Sequence, residues 1–92
     1  MLEIRAMQAE DLEAVVRTES QIFSRPWSRK GFEDALRQKE TIYLVAYEKD
    51  ILAGYCGLLQ SFDEADITNV AVVEKFRKKR VATELLEQLF LR

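Results

Sequence analysis

The 92-residue sequence predicts one domain of the α/β class (α+β by some schemes), in which helices flank a mixed, mostly antiparallel sheet. Two observations support this class. Apolar residues recur at helical spacing in three stretches, and four other stretches alternate in polarity or are rich in β-branched and aromatic residues. Their order is β-α-α-β-β-β-α, without repeats or linkers, and we assign residues 1–92 to a single unit.

The N-terminal half contains one strand and two helices. Alternation along residues 2–6 predicts the strand. Apolar residues follow helical spacing from Leu12 to Ile22, and Glu19 shares their face. Pro26 breaks the pattern because proline cannot sit inside a helix, and Ser28 is a suitable N-cap for a second helix over residues 29–38. The acidic residues Glu10 and Asp11 lie near the positive end of the first helix. The second helix has three apolar anchors: Phe32, Ala35 and Leu36.

A hairpin is predicted in the middle of the chain. Residues 41–47 are rich in β-branched and aromatic side chains, residues 48–50 form a turn, and residues 51–59 form the paired strand. Gly54 and Gly57 lie inside the second strand. Glycine there indicates a bulge or the close approach of another group.

The C-terminal part is a strand over residues 66–73, a basic loop and an amphipathic helix from residue 80 onward. The apolar face of this helix comprises Val81, Leu85, Leu86, Leu89 and Phe90. A strand and crossover helix normally lead to a further parallel strand, and none follows. We therefore expect a chain that is truncated relative to its own fold, with an unpaired edge on the 66–73 strand. Such edges recruit partners, so we expect self-association through the sheet edge.

The composition excludes several classes of function. There is no histidine, which excludes Ser-His-Asp and Cys-His catalysis and the common zinc sites. Asp63, Glu64 and Asp66 lack the spacing of a calcium loop, so no metal is expected. Cys56, the single cysteine, is interpreted as a core residue and allows no intrachain disulfide. With no signal-peptide pattern or membrane-spanning stretch, we expect a cytoplasmic protein.

The basic loop is the strongest functional signal in the sequence. A strand that leads through a tight loop into a helix presents free backbone N–H groups and the positive end of the helix dipole at one place. Four consecutive cations add charge there: Arg77, Lys78, Lys79 and Arg80. The pattern predicts a phosphate site. The alternative is a basic, solvated helix start over residues 75–80.

The same segment resembles the acetyl-CoA-binding core of the GCN5-related N-acetyltransferases (GNAT). In that superfamily a strand precedes a pyrophosphate loop of the form Arg/Gln-x-x-Gly-x-Gly/Ala. Arg77 and Ala82 match its first and last positions here, and Arg80 stands at the position between them. Within it, the sequence is most similar to the ribosomal-protein alanine N-acetyltransferases. Three further pieces carry this narrower resemblance: Arg25-Pro26-Trp27-Ser28, Asp63-Glu64-Ala65 and Asn69-Val70-Ala71-Val72.

The resemblance implies acetyl-CoA as the co-substrate and assigns residues to it. The backbone of Val70, Ala71 and Val72 would pair with the pantetheine amides. The loop would hold the pyrophosphate through Arg77, Lys78, Lys79, Arg80, Val81, Ala82 and Thr83. Arg80 departs from the family pattern, in which glycine serves because a phosphate approaches the backbone closely or because φ is positive.

The acceptor and the catalytic groups are less well defined. In the relatives, the loop with Pro26 and Trp27 borders the groove for the acceptor peptide; alternatively Trp27 fills the core. The family's glutamate base and tyrosine acid come from a later part of the domain, with no matching position here. Glu64 and Asp66 are candidate bases if partial burial raises their pKa; alternatively they belong to a solvated turn.

Three functions remain open from the sequence. The first is an acetyl-CoA-dependent N-acetyltransferase that acts on a protein N-terminal α-amine by direct attack on the thioester; the resemblance implies a ribosomal protein as the acceptor. The second is a non-catalytic acetyl-CoA-binding or self-associating scaffold. The third is an RNA-contacting module, against which stand the net charge of −2 and the lack of an aromatic stacking platform beside the loop.

Overall fold

A computed structural model describes residues 2–61 and 63–91. The predicted order of elements is confirmed. The helices and strands are β1 (Leu2–Ala6), α1 (Leu12–Ile22), α2 (Arg29–Arg37), β2 (Thr41–Glu48), β3 (Ile51–Ser61), β4 (Glu64–Val72) and α3 (Val81–Phe90). Short 3-10 turns at Ala9–Asp11 and Glu74–Phe76 precede α1 and follow β4. The longest described helix has 11 residues, and none in these ranges has the length and apolar character of a membrane span.

The four strands form one sheet in the order β1-β2-β3-β4. The sequence predicted a mixed sheet, but all three described pairings are antiparallel. The β2–β3 and β3–β4 connections are short hairpins, which impose that direction, and α1 and α2 return the chain antiparallel to β1. Within the described residues β4 has a neighbour on one side only, which confirms the predicted unpaired edge.

The sheet is covered on both faces. Helices α1 and α2 pack on one face and α3 on the other. Successive residues of β2 point to opposite faces: Tyr43 and Val45 join the cluster under α1 and α2, whereas Leu44 and Ala46 join the cluster under α3. Burial on both faces explains why β2 reads as a continuous apolar run.

Helix α3 buries a narrower face than the sequence predicted. Val81, Leu85 and Leu89 are buried against the sheet, but Phe90 is 65% exposed. Phe90 follows Leu89 by one position, about 100° around the helix axis, so it turns away from the sheet. The apolar end of α3 is therefore uncovered in the described structure.

Both strand glycines sit where another group approaches closely, as predicted. A Cβ at Gly54 would lie 2.6 Å from the carbonyl oxygen of Ala71, and one at Gly57 would lie 2.2 Å from Cε1 of Tyr43. The pairing register also shifts near each glycine, between Ala46 and Tyr47 and between Gly57 and Leu58. Gly57 thus leaves the space that the Tyr43 ring occupies.

Asp11 has a structural role that the sequence did not reveal. Its carboxylate is only 2% exposed and accepts two hydrogen bonds of 2.8 Å from the Arg5 guanidinium. The Tyr47 hydroxyl and the Gln8 N–H also donate to it, at 2.9 and 2.7 Å. Burial favours the neutral acid, but these donors outweigh it and lower the pKa of Asp11. Burial and the Asp11 contact raise the pKa of Tyr47 to about 12.

We expect Gly57→Ala to destabilise the protein by about 1–3 kcal/mol, because the new methyl group overlaps the Tyr43 ring. Gly31→Ala is the matched control. Gly31 lies within α2, where a Cβ would find its nearest neighbour, Ser28 Oγ, at an unstrained 3.6 Å. Alanine there should stabilise by up to about 1 kcal/mol through helix propensity. Urea unfolding monitored by circular dichroism measures both, and equal stability of Gly57→Ala and wild type would contradict the packing described.

Candidate functional site

The loop between β4 and α3 is anchored to the core by Phe76. The 3-10 turn is closed by the Phe76 N–H, which donates to the Val73 carbonyl at 2.8 Å. Phe76 is buried in the cluster under α3, and the Lys75 ammonium lies 5.3 Å from its ring centroid. Residues 75–80 precede α3, which begins at Val81, and all of them except Phe76 are exposed. The alternative of a solvated basic helix start is therefore compatible with the structure. The sequence analysis missed Phe76, although a lone aromatic residue among cations was a signal.

Two residues of the loop adopt the left-handed backbone conformation. Lys78 has φ = 68° and Arg80 has φ = 64°. For a residue with a Cβ this conformation costs roughly 1–2 kcal/mol, whereas glycine adopts it freely. The sequence analysis gave positive φ as one reason for the family's glycine at position 80. The structure shows that this chain adopts positive φ there with an arginine.

The N-terminus of α3 has free backbone donors. The first helical bond runs from the Glu84 N–H to the Arg80 carbonyl at 3.0 Å. The N–H groups of residues 80–83 therefore have no partner within the helix. A surface cavity of 390 Å³ lies at this end of the helix. Its lining comprises Val72, Phe76, Arg77, Lys78, Arg80, Val81, Ala82 and Thr83. Of the seven loop residues predicted from Arg77 to Thr83, six line this cavity and Lys79 does not.

The two arginines of the loop are held differently. Arg77 Nε donates to the Val72 carbonyl at 3.2 Å, which ties the loop back to the end of β4. Arg80 Nη2 lies 3.8 Å from Glu87 Oε1, and both side chains are exposed. An exposed pair at this distance contributes little to stability. The Arg80 guanidinium is therefore free to exchange Glu87 for another anion.

The edge of β4 presents backbone groups beside this cavity. The Val73 N–H donates to the Ala53 carbonyl at 2.8 Å. Because donors and acceptors alternate along an antiparallel strand, Ala71 also points its backbone groups to β3, and Val70 and Val72 point theirs outward. The bond from Arg77 to the Val72 carbonyl agrees with that direction. Of the predicted residues 70–72, the first and last therefore offer backbone groups to a ligand.

A second cavity of 360 Å³ lies beside the same strand. Its lining comprises Glu19, Phe23, Ser24, Arg25, Trp27, Thr68, Asn69 and Val70. Trp27 lines it and also packs on the core, with its ring 5.2 Å from Phe32 and 6.3 Å from Tyr43. Both interpretations of Trp27 are thus compatible with its position. Pro26 is exposed and does not line the cavity.

A bulge in β4 shapes this second cavity. Gly57 pairs with Asn69 and Leu58 pairs with Ile67, so Thr68 is an extra residue. Consecutive side chains of a regular strand point to opposite faces, but here the Tyr43 hydroxyl contacts both Thr68 Oγ1, at 2.9 Å, and Asn69 Oδ1, at 3.1 Å. Burial, with a smaller contribution from the charge of Glu19, raises the pKa of Tyr43 against the opposing effect of its Thr68 bond. The Tyr43 hydroxyl therefore stays protonated at neutral pH.

Glu19 is the residue of this region that the sequence analysis did not identify as part of a site. It is only 3% exposed. Its carboxylate accepts from the Tyr55 hydroxyl at 2.6 Å and from the Trp27 backbone N–H at 3.0 Å. Burial and the contact with Glu19 raise the pKa of Tyr55, so its hydroxyl remains a donor. The available signal was the position of a carboxylate on the apolar face of α1.

The other candidate groups lie outside these cavities. Glu64 and Asp66 are exposed in β4, so the partial burial that the sequence analysis required of a base is absent at both. No cluster of acidic or sulfur-bearing side chains suited to a metal ion occurs among residues 2–61 and 63–91. Cys56 is buried, which confirms its interpretation as a core residue, and burial raises the pKa of its thiol to about 11.

Comparison with known proteins identifies the family. The profile of the Acetyltransferase (GNAT) family matches residues 8–90. This chain belongs to the GNAT family. A GNAT relative from Bacillus subtilis (strain 168), provisionally described as a ribosomal protein bS18-alanine N-acetyltransferase, is 34% identical over 83 residues. The match covers 89% of this chain and 55% of that protein, so the chain spans about half the length of its relative.

Solved structures support the GNAT fold. The ribosomal-protein-S18-alanine N-acetyltransferase of Escherichia coli matches with a TM-score of 0.85 and 25% identity, over 97% of this chain and 57% of that one. An N-acetyltransferase of Thermoplasma acidophilum in complex with coenzyme A matches with a TM-score of 0.84 and 18% identity, over 97% and 69%. The predicted GNAT resemblance and fold class are confirmed.

We expect Arg80→Gly to stabilise the chain by about 0.5–1 kcal/mol. Glycine removes the strain of the left-handed conformation, which costs roughly 1–2 kcal/mol. Part of this gain is lost because glycine raises the conformational entropy of the unfolded state. Arg77→Gly is the matched control, because Arg77 has φ = −66° and no such strain to relieve. It should destabilise by about 0.4–1 kcal/mol. Thermal unfolding measures both, and a shift in the same direction for the two variants would refute the strain assignment.

Proposed function

We propose that this chain is the acetyl-CoA-binding part of an N-acetyltransferase that acts on the N-terminal α-amine of a protein. The observation that carries the proposal is the N-terminus of α3. Four backbone N–H groups without helical partners lie there among Arg77, Lys78 and Arg80, directly beside the open edge of β4. Membership of the GNAT family and kinship with alanine N-acetyltransferases support the reaction class.

The residues at this site fit the co-substrate in two parts. The N–H groups of residues 80–83 and the nearby cations suit a pyrophosphate, which helix N-termini bind through backbone donors and dipole. The outward N–H and C=O groups of Val70 and the outward N–H of Val72 suit the amides of an extended pantetheine arm, whereas the Val72 carbonyl accepts from Arg77. Lys79, which does not line the cavity, would act through its charge rather than by contact. Acetyl-CoA supplies the activated acetyl thioester.

The acceptor would enter through the cavity beside Trp27 and Asn69. In the proposed reaction the amine nitrogen forms a bond to the thioester carbonyl carbon, the carbon–sulfur bond breaks, and the thiolate leaves. The ammonium must lose one proton before attack, to a carboxylate or to water, and the second proton, released as the amide forms, goes to the departing thiolate. Glu64 and Asp66 remain candidates, and because both are exposed they would act through solvent. An outward N–H group of β4 could stabilise the carbonyl oxygen as it becomes negative.

The relatives suggest the acceptor class and the compartment. The two alanine N-acetyltransferases named above modify ribosomal protein bS18 according to their descriptions. We extend that class, a ribosomal protein with an N-terminal alanine, to this chain, together with a cytoplasmic location. The second candidate function is acetyl-CoA binding without transfer. The positions of Glu64 and Asp66 favour it, because both are exposed and neither lines either cavity of the proposed site.

We expect acetyl-CoA to bind saturably and Arg77→Ala to weaken binding at least tenfold, since a charge-assisted bond to a phosphate is worth roughly 1.5–3 kcal/mol. Lys79→Ala should weaken it less, because Lys79 does not line the cavity. Lys30→Ala removes an exposed cation of α2 and is the control, with no expected effect. Isothermal titration calorimetry measures all three. No binding at millimolar acetyl-CoA, or equal loss in Lys30→Ala, would reject the site.

We further propose that the β4 edge pairs with β4 of a second copy when acetyl-CoA is absent. Val70 presents its backbone N–H and C=O at this edge, and Val72 presents its N–H, while the Val72 carbonyl accepts from Arg77. Exposed apolar residues adjoin the edge and the end of α3: Ile67, Phe90 and Leu91. Open edges with these features pair with other chains. Because the pantetheine arm would use the same edge, the co-substrate and the second copy compete for it.

We expect the chain to dimerise as concentration rises and saturating acetyl-CoA to reverse this. Ile67→Lys should weaken dimerisation at least tenfold, because a lysine on an edge strand opposes pairing. Ile51→Lys is the control: Ile51 is 48% exposed and Ile67 is 43% exposed, but Ile51 lies on the inner strand β3. Size-exclusion chromatography with light scattering measures both. A monomer at all concentrations would reject the proposed pairing.

A further inference from the structure

Glu19 carries a buried negative charge without a buried positive partner. Its carboxylate is hydrogen-bonded on both oxygens, and both partners are donors, the arrangement that an ionised carboxylate requires. No ion pair to Glu19 occurs among residues 2–61 and 63–91. Buried carboxylates are normally paired with a cation because desolvation of an isolated charge is costly. Two hydrogen bonds offset only part of this cost.

The charge lies at the wall of a cavity that is open to a ligand. Glu19 lines the 360 Å³ cavity together with Trp27, Asn69 and Val70. Each carboxylate oxygen accepts one bond and retains a further acceptor position. Arg25 lines the same cavity, but it is exposed, so solvent screens its charge. The cavity thus combines a desolvated anion, an aromatic wall and the outward backbone groups of Val70.

We propose that Glu19 recognises the positively charged α-ammonium group of the acceptor, so that the cavity selects peptides with a free N-terminus over N-blocked ones. This inference rests on the proposed function and assigns the acceptor's recognition to a residue of α1. A buried carboxylate attracts an ammonium more strongly than an exposed one because little water screens the pair. An N-acetylated peptide carries no charge at that position. Its amide group would therefore leave the negative charge of the Glu19 carboxylate unneutralised.

A purely structural role for Glu19 gives a different expectation. Its two bonds join α1 to Tyr55 of β3 and to the loop at Trp27, so its loss would also disturb the cavity wall. Such a disturbance would weaken free and blocked peptides alike. The discriminating quantity is therefore the ratio of affinities for the two peptides, which a structural role leaves unchanged.

The experiment uses Trp27, the single tryptophan of the chain, as a fluorescent reporter inside the cavity. An alanine-initiated hexapeptide with a free amine and the same peptide with an acetylated N-terminus are titrated at pH 6.5, where an α-amine is protonated. We expect the wild-type chain to bind the free peptide at least tenfold more tightly. In Glu19→Gln, which has nearly the same shape, the two affinities should become equal.

Glu13→Gln is the matched control, since it makes the same substitution on an exposed position of α1. It should retain the wild-type preference. Equal affinities of the wild-type chain for both peptides would overturn the proposal. The proposal can therefore be tested even if Glu19→Gln does not fold. A preference retained by Glu19→Gln would also overturn it.

The titrations contain no acetyl-CoA, so their failure is separable from that of the proposed function. A wild-type chain that binds acetyl-CoA but shows no preference for the free amine would reject the role of Glu19 alone. Amine preference without acetyl-CoA binding would reject the acetyltransferase proposal and leave a receptor for free N-termini.

Discussion

A buried hydrogen bond of 2.6 Å between the Tyr55 hydroxyl and the Glu19 carboxylate connects the first helix to the third strand. The same carboxylate holds the backbone of Trp27, and so it fixes where the chain leaves α1 and enters α2. The cavity beside β4 has this loop as one wall and the bulged strand as the other. A polar contact inside an apolar cluster is directional, whereas the hydrophobic packing around it is not. The position of the second cavity depends on this contact.

The sequence predicted the elements well because their signals are local. Each signal depends on residues that lie close together in the sequence. Examples are the alternation in β1, the proline and N-cap before α2, and the helical spacing of apolar residues in α3. The Ser28 side chain does accept from the Gly31 N–H, as an N-cap does. The conformation at position 80 was also open to prediction, because the family pattern places glycine there and the structure shows positive φ.

The contacts that the sequence did not reveal are long-range. Glu19 and Tyr55 are 36 positions apart, and so are Asp11 and Tyr47. Glutamate and aspartate side chains are usually exposed, so the sequence predicts a solvated carboxylate unless the distant residue that donates a hydrogen bond to it is known. The β4 bulge was also not predicted, because a bulge is defined by the register between two paired strands and not by the composition of either strand. Local patterns therefore located the loop before α3 better than the cavity beside Trp27.

Val81 connects the candidate anion site to the core. Its backbone N–H lies among the free donors at the start of α3, and its side chain is buried in the cluster under the same helix. An anion held by that N–H would also restrain the packing of the sheet. Occupancy would then be linked to the folding equilibrium: a ligand at one hundred times its Kd adds about 2.7 kcal/mol to the free energy of unfolding. Small domains have only about 5–15 kcal/mol in total, so the supply of that ligand would set how long this chain survives proteolysis.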